Sequence, residues 1–219
     1  LGITSLITTS DGTKVSNPRH FNKLYKKLHR VQKAYSRTQK GSKNREKARL
    51  KVAKVHAKIG DSRRDFLHKL TTQLVRENQT IVVEDLAVRN MVKNSKLAKA
   101  ISDCGWSEFV GQLEYKCQWY GRELVKIDGF FPSSKRCGNC GHVMDKLPLN
   151  IREWECPECR TVHDHEVALR ARDINASRNI LAAGLAVRVC GADIRPDRHK
   201  YKGQLRKTRI REGNKKPKS

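Results

Sequence analysis

The chain has 219 residues, enough for one or two domains with a buried core. Its 47 Lys and Arg against 22 Asp and Glu leave a formal net charge of +25, too one-sided for an ordinary solvated surface and suited to a polyanionic partner. No apolar run approaches the ~18–20 residues of a membrane-spanning helix, and no signal-peptide pattern opens the chain. A membrane partner is therefore set aside in favour of nucleic acid, and a reducing, cytoplasmic setting is expected. The chain opens on Leu1 rather than Met, so a preceding segment is expected too.

Residues 1–16, LGITSLITTSDGTKVS, alternate short β-prone runs around an Asp11-Gly12 turn and predict a β-hairpin. From Asn17-Pro18 to Asn78 the period becomes helical. Phe21, Leu24, Leu28, Val31 and Tyr35 recur at steps of three and four, and beyond Gly41-Ser42 so do Ala48, Val52, Val55, Ile59, Ser62 and Phe66. This predicts an antiparallel helical hairpin over 17–78 with one apolar seam. Residues 19–78 carry 19 basic and 4 acidic side chains, and a field of one sign fits a phosphate-tracking face better than a merely solvated one.

Thr80–Val83 is a β-branched run ending in Glu84-Asp85. A continuous apolar strand suits a sheet covered on both faces, and open α/β sheets place active sites at the C-terminal ends of their strands. Taken alone, an ordinary polar strand exit accounts for the two carboxylates. Lys96 to Tyr120 reads as one helical stretch with Ile101, Trp106, Phe109, Leu113 and Tyr120 on or near one face, and Glu123–Asp128 as a further strand before Gly129. Cys104, Cys117 and Cys190 read as small buried hydrophobes.

Cys137-Gly-Asn-Cys140 and Cys156-Pro-Glu-Cys159 are two C-x-x-C pairs separated by 15 residues. Such pairs can be a redox couple, two disulfides or a metal site. A thioredoxin-like redox centre needs only one pair, and a reducing compartment disfavours disulfides. The spacing fits a four-thiolate zinc ribbon, with a rubredoxin-like iron site as the alternative. Two intervening residues let both sulfurs of a knuckle take adjacent corners of a tetrahedron. Gly141 follows the first knuckle, and Arg160 occupies the matching place after the second. His142 or His163 could replace a thiolate, but four cysteines already complete the shell. A closed shell has no vacancy for water or substrate, so this metal is expected to be structural.

ARDINASRNILAAGLAV, residues 171–187, carries Ile174, Ser177, Leu181 and Leu185 as one stripe and Ala176, Ile180 and Ala183 as another, predicting a packed helix. Asp173 at its start reads, by itself, as an N-cap or a first-turn charge favoured by the dipole. The tail from Arg195 to Ser219 has 11 basic and 2 acidic residues and predicts a weakly ordered polyanion-binding extension.

Together, PSSKRCGNCG (132–141), WECPEC (154–159) and RDINASRNIL (172–181) resemble the C-terminal half of the OrfB/TnpB proteins. These are insertion-sequence RNA-guided DNA nucleases related to the type V CRISPR effectors. IVVEDL (81–86) resembles the family's second nuclease motif, YKCQWYGRELVKIDGFFPSSK (115–135) the approach to its ribbon, and LGITSL with DGTKVSNP (1–18) the tail of its first motif and the segment beyond. The similarity runs from Leu1 to about Gly191 in the family's order. It implies an α/β, RNase H-like (RuvC-type) nuclease core with an inserted basic helical hairpin and a four-Cys zinc ribbon. The expected division is 1–16 start of the core, 17–78 hairpin, 79–131 core, 132–163 ribbon, 164–191 C-terminal helix of the core and 192–219 basic tail.

The resemblance further implies phosphodiester hydrolysis with two Mg²⁺ ions held by acidic side chains ~4 Å apart, together with a structural zinc. Glu84 matches the family's central glutamate and Asp173 its last aspartate, while Asn175 matches a position that would orient the site. Asp85 reads as a neighbour of the site. The family's first aspartate would stand immediately before Leu1, so the chain as given is expected to be inactive or severely impaired. Between His163 and Asp173 the sequence departs from the family's H-D-R-D-x-N run, which leaves Glu166 and Asp164 as rivals for the third carboxylate. The implied partners are a DNA target and a guide RNA, close to a prokaryotic nucleoid. A non-catalytic nucleic-acid binder, decayed from a transposase-like protein, is the alternative reading.

Overall fold

The Asp11-Gly12 turn closes the predicted hairpin of β1 (Ser5–Thr8) and β2 (Lys14–Ser16). The strands are antiparallel, with Thr8 opposite Lys14 and a register shift between Ser5 and Ile7. Asp11 organises the turn by accepting the Thr13 N–H at 2.9 Å and the Thr9 hydroxyl. These bonds, the Thr9 hydroxyl first, hold its carboxyl below the usual value. Gly12 follows at φ 94°, in the left-handed region that glycine tolerates. The computed structural model describes residues 1–148, 151, 154–163 and 171–190.

The helical hairpin consists of α1 (His20–Ser36) and α2 (Lys43–Glu77). Leu28, Val55 and Ile59 are buried in its seam, flanked by Phe21, Leu24, Val31 and Val52, as the three-and-four spacing predicts. Ser42 caps α2 by accepting the Arg45 N–H at 3.1 Å. No local side chain caps α1. Instead the carboxylate of Asp103, distant in sequence, accepts the Phe21 N–H at 3.1 and 3.2 Å. The positive end of α1 is thereby tied to the body of the molecule.

The C-terminal half of α2 belongs to a second, larger core. Leu67, Leu70 and Val75 are buried there against Trp106, Phe109, Leu113 and Cys117, together with Leu6 and Ile7 of the hairpin. Lys116 sits under α2 with Nζ at 2.8 Å from the His68 carbonyl, 2.7 Å from the Thr71 hydroxyl and 2.8 Å from the Thr72 hydroxyl. Burial pulls the pKa of Lys116 down, and its three oxygen acceptors offset part of the loss of water.

Strands β3 (Thr80–Asp85) and β4 (Glu123–Asp128) pair in parallel, from Thr80 opposite Glu123 to Asp85 opposite Asp128. A parallel pair needs a long crossover. Here it is built from α3 (Val88–Met91), α4 (Ala98–Cys104) and α5 (Trp106–Trp119). The single helix expected over Lys96–Tyr120 is thus two helices, broken at Gly105, whose φ is 67°. A side chain there would also come within 3.1 Å of Arg63 Cδ and 3.2 Å of Leu67 Cδ1. Cys104 and Cys117 are buried as expected, and burial pushes the Cys104 thiol up to about 11. The side chain of Cys190 and the tail 191–219 lie outside the described residues. Among the described residues no helix is long and apolar enough to cross a membrane.

The last helix, α6 (Ala171–Cys190), spans the assembly. Ser177 Oγ donates to the Thr9 carbonyl at 3.0 Å, and Arg178 Nε donates to the Ser10 carbonyl at 3.3 Å, so α6 grips the β1–β2 turn. Further along, Gly184 lies against β3 so closely that a Cβ would stand 2.3 Å from Val82 Cγ1. Helix propensity alone makes Gly184→Ala stabilising by about 1 kcal/mol. Packing against the stiff, β-branched Val82 reverses the sign. We expect a net loss of about 1–3 kcal/mol in the denaturant-unfolding free energy. A gain in that measurement would show that α6 does not pack so closely on β3.

Candidate metal centres

The two C-x-x-C pairs converge. The sulfurs of Cys137, Cys140, Cys156 and Cys159 all lie within 4.8 Å of one another, with Cys137–Cys159 at 3.6 Å and Cys140–Cys156 at 3.5 Å. Four sulfurs on a tetrahedral cation at ~2.3 Å stand ~3.8 Å apart. The donor set and its spacing are compatible with a structural zinc.

The two knuckles share one backbone design. Cys137 N–H donates to the His142 carbonyl at 2.7 Å and Gly141 N–H to the Cys137 carbonyl at 3.0 Å. In the second knuckle, Cys156 N–H donates to the Thr161 carbonyl at 2.9 Å and Arg160 N–H to the Cys156 carbonyl at 2.9 Å. Each knuckle closes with one antiparallel bridge, Arg136 with Val143 and Glu155 with Val162. The residue after each pair turns left-handed, Gly141 at φ 80° and Arg160 at φ 57°. The second knuckle therefore holds a β-carbon where glycine is favoured, and carries that strain.

Around the sulfurs, Thr161 favours the thiolate of Cys159, its hydroxyl first and its backbone N–H second, drawing that thiol down to about 5. His163 Nε2 lies 3.0 Å from Cys137 Sγ, and its ring packs 4.3 Å from Trp154. His142 instead lies 3.8 Å from a Glu158 carboxylate oxygen, on the periphery. The cluster comprises the four cysteines, with His163 as a neighbour.

The second centre is a cavity of about 230 Å³ lined by both sequence-predicted carboxylates, Glu84 and Asp173, together with Leu1, Ser133 and Ser134. Glu84 comes from the C-terminal end of β3 and Asp173 from the first turn of α6. Glu84 is half-buried. Ser133 Oγ donates to its Oε1 at 2.9 Å, and the Leu1 nitrogen lies 3.9 Å from its Oε2. Asp85, next along the strand, is exposed. Gly129 allows the exit of β4 to cross the end of β3, since a Cβ there would stand 2.3 Å from the Asp85 carbonyl oxygen. Glu166 and Asp164 lie outside the described residues.

Two buried asparagines on α6 join the centres. Asn175 Nδ2 donates to the Arg136 carbonyl at 2.8 Å, and its Oδ1 accepts the Gly138 N–H at 3.2 Å. Asn179 Nδ2, one turn later, donates to the carbonyls of Ser133 at 2.9 Å and Arg136 at 2.7 Å. Gly138 is needed for this approach: a Cβ there would stand 2.8 Å from Asn175 Oδ1. The amide of Asn175 thus bonds the backbone of the first knuckle.

Two family models match successive parts of the chain: OrfB_IS605, described as "Probable transposase", over residues 1–95, and the Cas12f1-like TNB domain over residues 106–180. A Streptomyces pristinaespiralis protein named "Putative RNA-guided DNA endonuclease" is 61% identical over 90% of this chain and 47% of its own length. Residues 1–95 are thus similar to the OrfB transposases. The "Putative RNA-guided DNA endonuclease InsQ" of Escherichia coli (strain K12) is 36% identical over 90% of this chain and 51% of its own length. The chain thus spans about half the length of these relatives. Its fold is similar to that of a chain in the cryo-EM structure of the Cas12f1-sgRNA-target DNA complex, with a TM-score of 0.52 and 18% identity over 77% of this chain and 43% of that one.

The four cysteines and both cavity carboxylates are legible in the sequence, and Ser133 and Asn179 are not. Asn179 carried a usable signal, because it falls four residues after Asn175 and so on the same helix face. Ser133 carried none beyond its place in the PSSK run.

Cys137→Ser is expected to lower bound zinc, measured by metal analysis of the purified protein, and the unfolding midpoint together. A variant that kept both would show that the cluster does not hold the ribbon. Arg160→Gly relieves the left-handed strain and should stabilise the ribbon by about 1 kcal/mol. The measurement is slower zinc release to a chelator, and unchanged or faster release would count against it.

Proposed function

We propose that this chain is the nuclease part of an RNA-guided DNA endonuclease, an RNase H-like (RuvC-type) core carrying an inserted basic hairpin and a structural zinc ribbon. The observation that carries the reading is that Glu84 and Asp173, far apart in sequence, line one cavity at the C-terminal end of a parallel strand. Their hard oxygen donors, with the Ser133 hydroxyl beside them, suit Mg²⁺. Glu84 and Asp173 would hold the ions. When bound, Mg²⁺ supplies an activated water and the positive charge that steadies the leaving oxygen. Ser133 orients Glu84 by donating to Oε1, leaving Oε2 directed toward the segment that begins at Leu1. An aspartate immediately before Leu1, as the family resemblance implies, would enter the same cavity as the third carboxylate.

A guide RNA and a DNA target are the proposed partners. The relatives' names and the neighbour's complex with sgRNA and target DNA support this, as does the one-sided charge of the hairpin. The zinc is assigned a folding role, because four thiolates leave no open position for substrate.

The test is Mg²⁺-dependent DNA cleavage by the protein extended upstream through the family's first aspartate, loaded with its guide RNA. Glu84→Ala and Asp173→Ala should each lower cleavage by at least about a hundredfold while RNA binding persists. If both variants cleave normally, the assignment is wrong. Binding without cleavage in the extended protein would make the chain a non-catalytic nucleic-acid binder.

A further inference from the structure

Trp119 ends α5 with 75% of its surface exposed, and Tyr120 beside it is 43% exposed. The other two tryptophans, Trp106 and Trp154, are buried at 3% and 7%. An indole in water gains nothing for the fold, so its surroundings decide what it is for. Trp119 is held, not loose. The Tyr115 ring meets it edge-on with centroids 4.7 Å apart, and the Tyr115 hydroxyl lies 3.3 Å from His68 Nδ1 on α2. Beside His68 an open groove runs along α2 past Lys69, Thr72, Gln73 and Arg76 to Glu77. The buried Lys116 ammonium lies directly beneath it, bonded to the Thr72 hydroxyl.

An exposed, fixed aromatic often marks a protein interface. Here the charge points elsewhere. Lys69, Arg76 and Lys116 line or underlie the groove against Glu77 and against Asp65, which pairs with Lys69 at 2.7 Å, on a chain of net charge +25. We infer that the Trp119–Tyr115 pair is a stacking platform for an unpaired base, and that the α2 groove beside it takes the adjoining phosphates. Single-stranded nucleic acid is bound by this combination of π-faces with a cationic groove, whereas paired bases have no free face to offer. The platform rests on the proposed nucleic-acid function, but stands apart from the Glu84–Asp173 cavity and from the four cysteines.

With Trp106 and Trp154 buried, Trp119 is the residue that reports contact. In the free chain its emission should be quenched by iodide. Saturation with oligouridylate or oligothymidylate of about 20 nucleotides should quench the emission and shield it from iodide, and a duplex of equal length should do neither. The tighter of the two oligonucleotides identifies RNA or displaced DNA as the natural strand. Trp119→Ala should weaken binding about tenfold, measured by anisotropy of a labelled oligonucleotide, with the salt slope unchanged because stacking releases no counterions. Trp119→Phe keeps a π-face and should keep most of the affinity, and Arg76→Gln should lower the salt slope.

Tight oligonucleotide binding that leaves the emission and the Trp119→Ala affinity unchanged would overturn the platform and leave the nucleic-acid function standing. Failure of any oligonucleotide to bind would end both. A Trp119 already shielded from iodide in the free chain would also overturn it, pointing to a second copy or to another segment of the chain as the occupant.

Discussion

The Asn179 amide sits where the parts of this fold meet. Its nitrogen donates to the backbone at Ser133 and Arg136, and the hydroxyl of that same Ser133 donates to Glu84. One turn earlier on α6, Asn175 grips Arg136 and Gly138 at the mouth of the first cysteine knuckle. A buried amide left without partners costs about 1–3 kcal/mol, so these bonds fix α6 against the ribbon in one register. Ser177 on the β1–β2 turn and Gly184 on Val82 agree with that register. With α6 so held, Asp173 in its first turn lines the cavity that Glu84 enters from β3.

This arrangement divides the work between the two centres. The sulfur cluster is compatible with a structural zinc. Its short antiparallel bridges are too small to fold on apolar burial alone, with Cys137, Trp154 and Cys156 as the buried residues of its cluster. The cavity is open, polar at Glu84, Asp173 and Ser133, and placed at a strand end. The long helix α2 serves both the hairpin and the main core, so the basic hairpin is rooted beneath the sheet. A charge field carried on such a rigid support keeps a fixed direction relative to the cavity.

Much of this was legible in the sequence because the signals were local and periodic. The hairpin seam follows from steps of three and four, and the cysteine cluster from spacings that geometry dictates. Glu84 and Asp173 were legible as candidates only through the family resemblance, since a strand exit and a helix start are unremarkable carboxylate sites by themselves. What escaped was tertiary. The helical pattern over Lys96–Tyr120 concealed the break at Gly105, whose left-handed φ of 67° strains any residue with a β-carbon, with Arg63 and Leu67 packed close by. The cap of α1 comes from Asp103, which no local motif announces. Asn179 and Ser133 matter through backbone partners that periodicity does not reveal.

If α6, clamped to the ribbon, sets Asp173 against Glu84, the two carboxylates share one divalent cation. The most direct measurement is a crystal of this protein grown with Mn²⁺, with anomalous differences collected at the zinc and manganese edges. Zinc is expected among the four sulfurs, and manganese bound by both Glu84 and Asp173. Manganese held by Glu84 with Glu166 or Asp164, with Asp173 turned away from it, would show that α6 does not set the site.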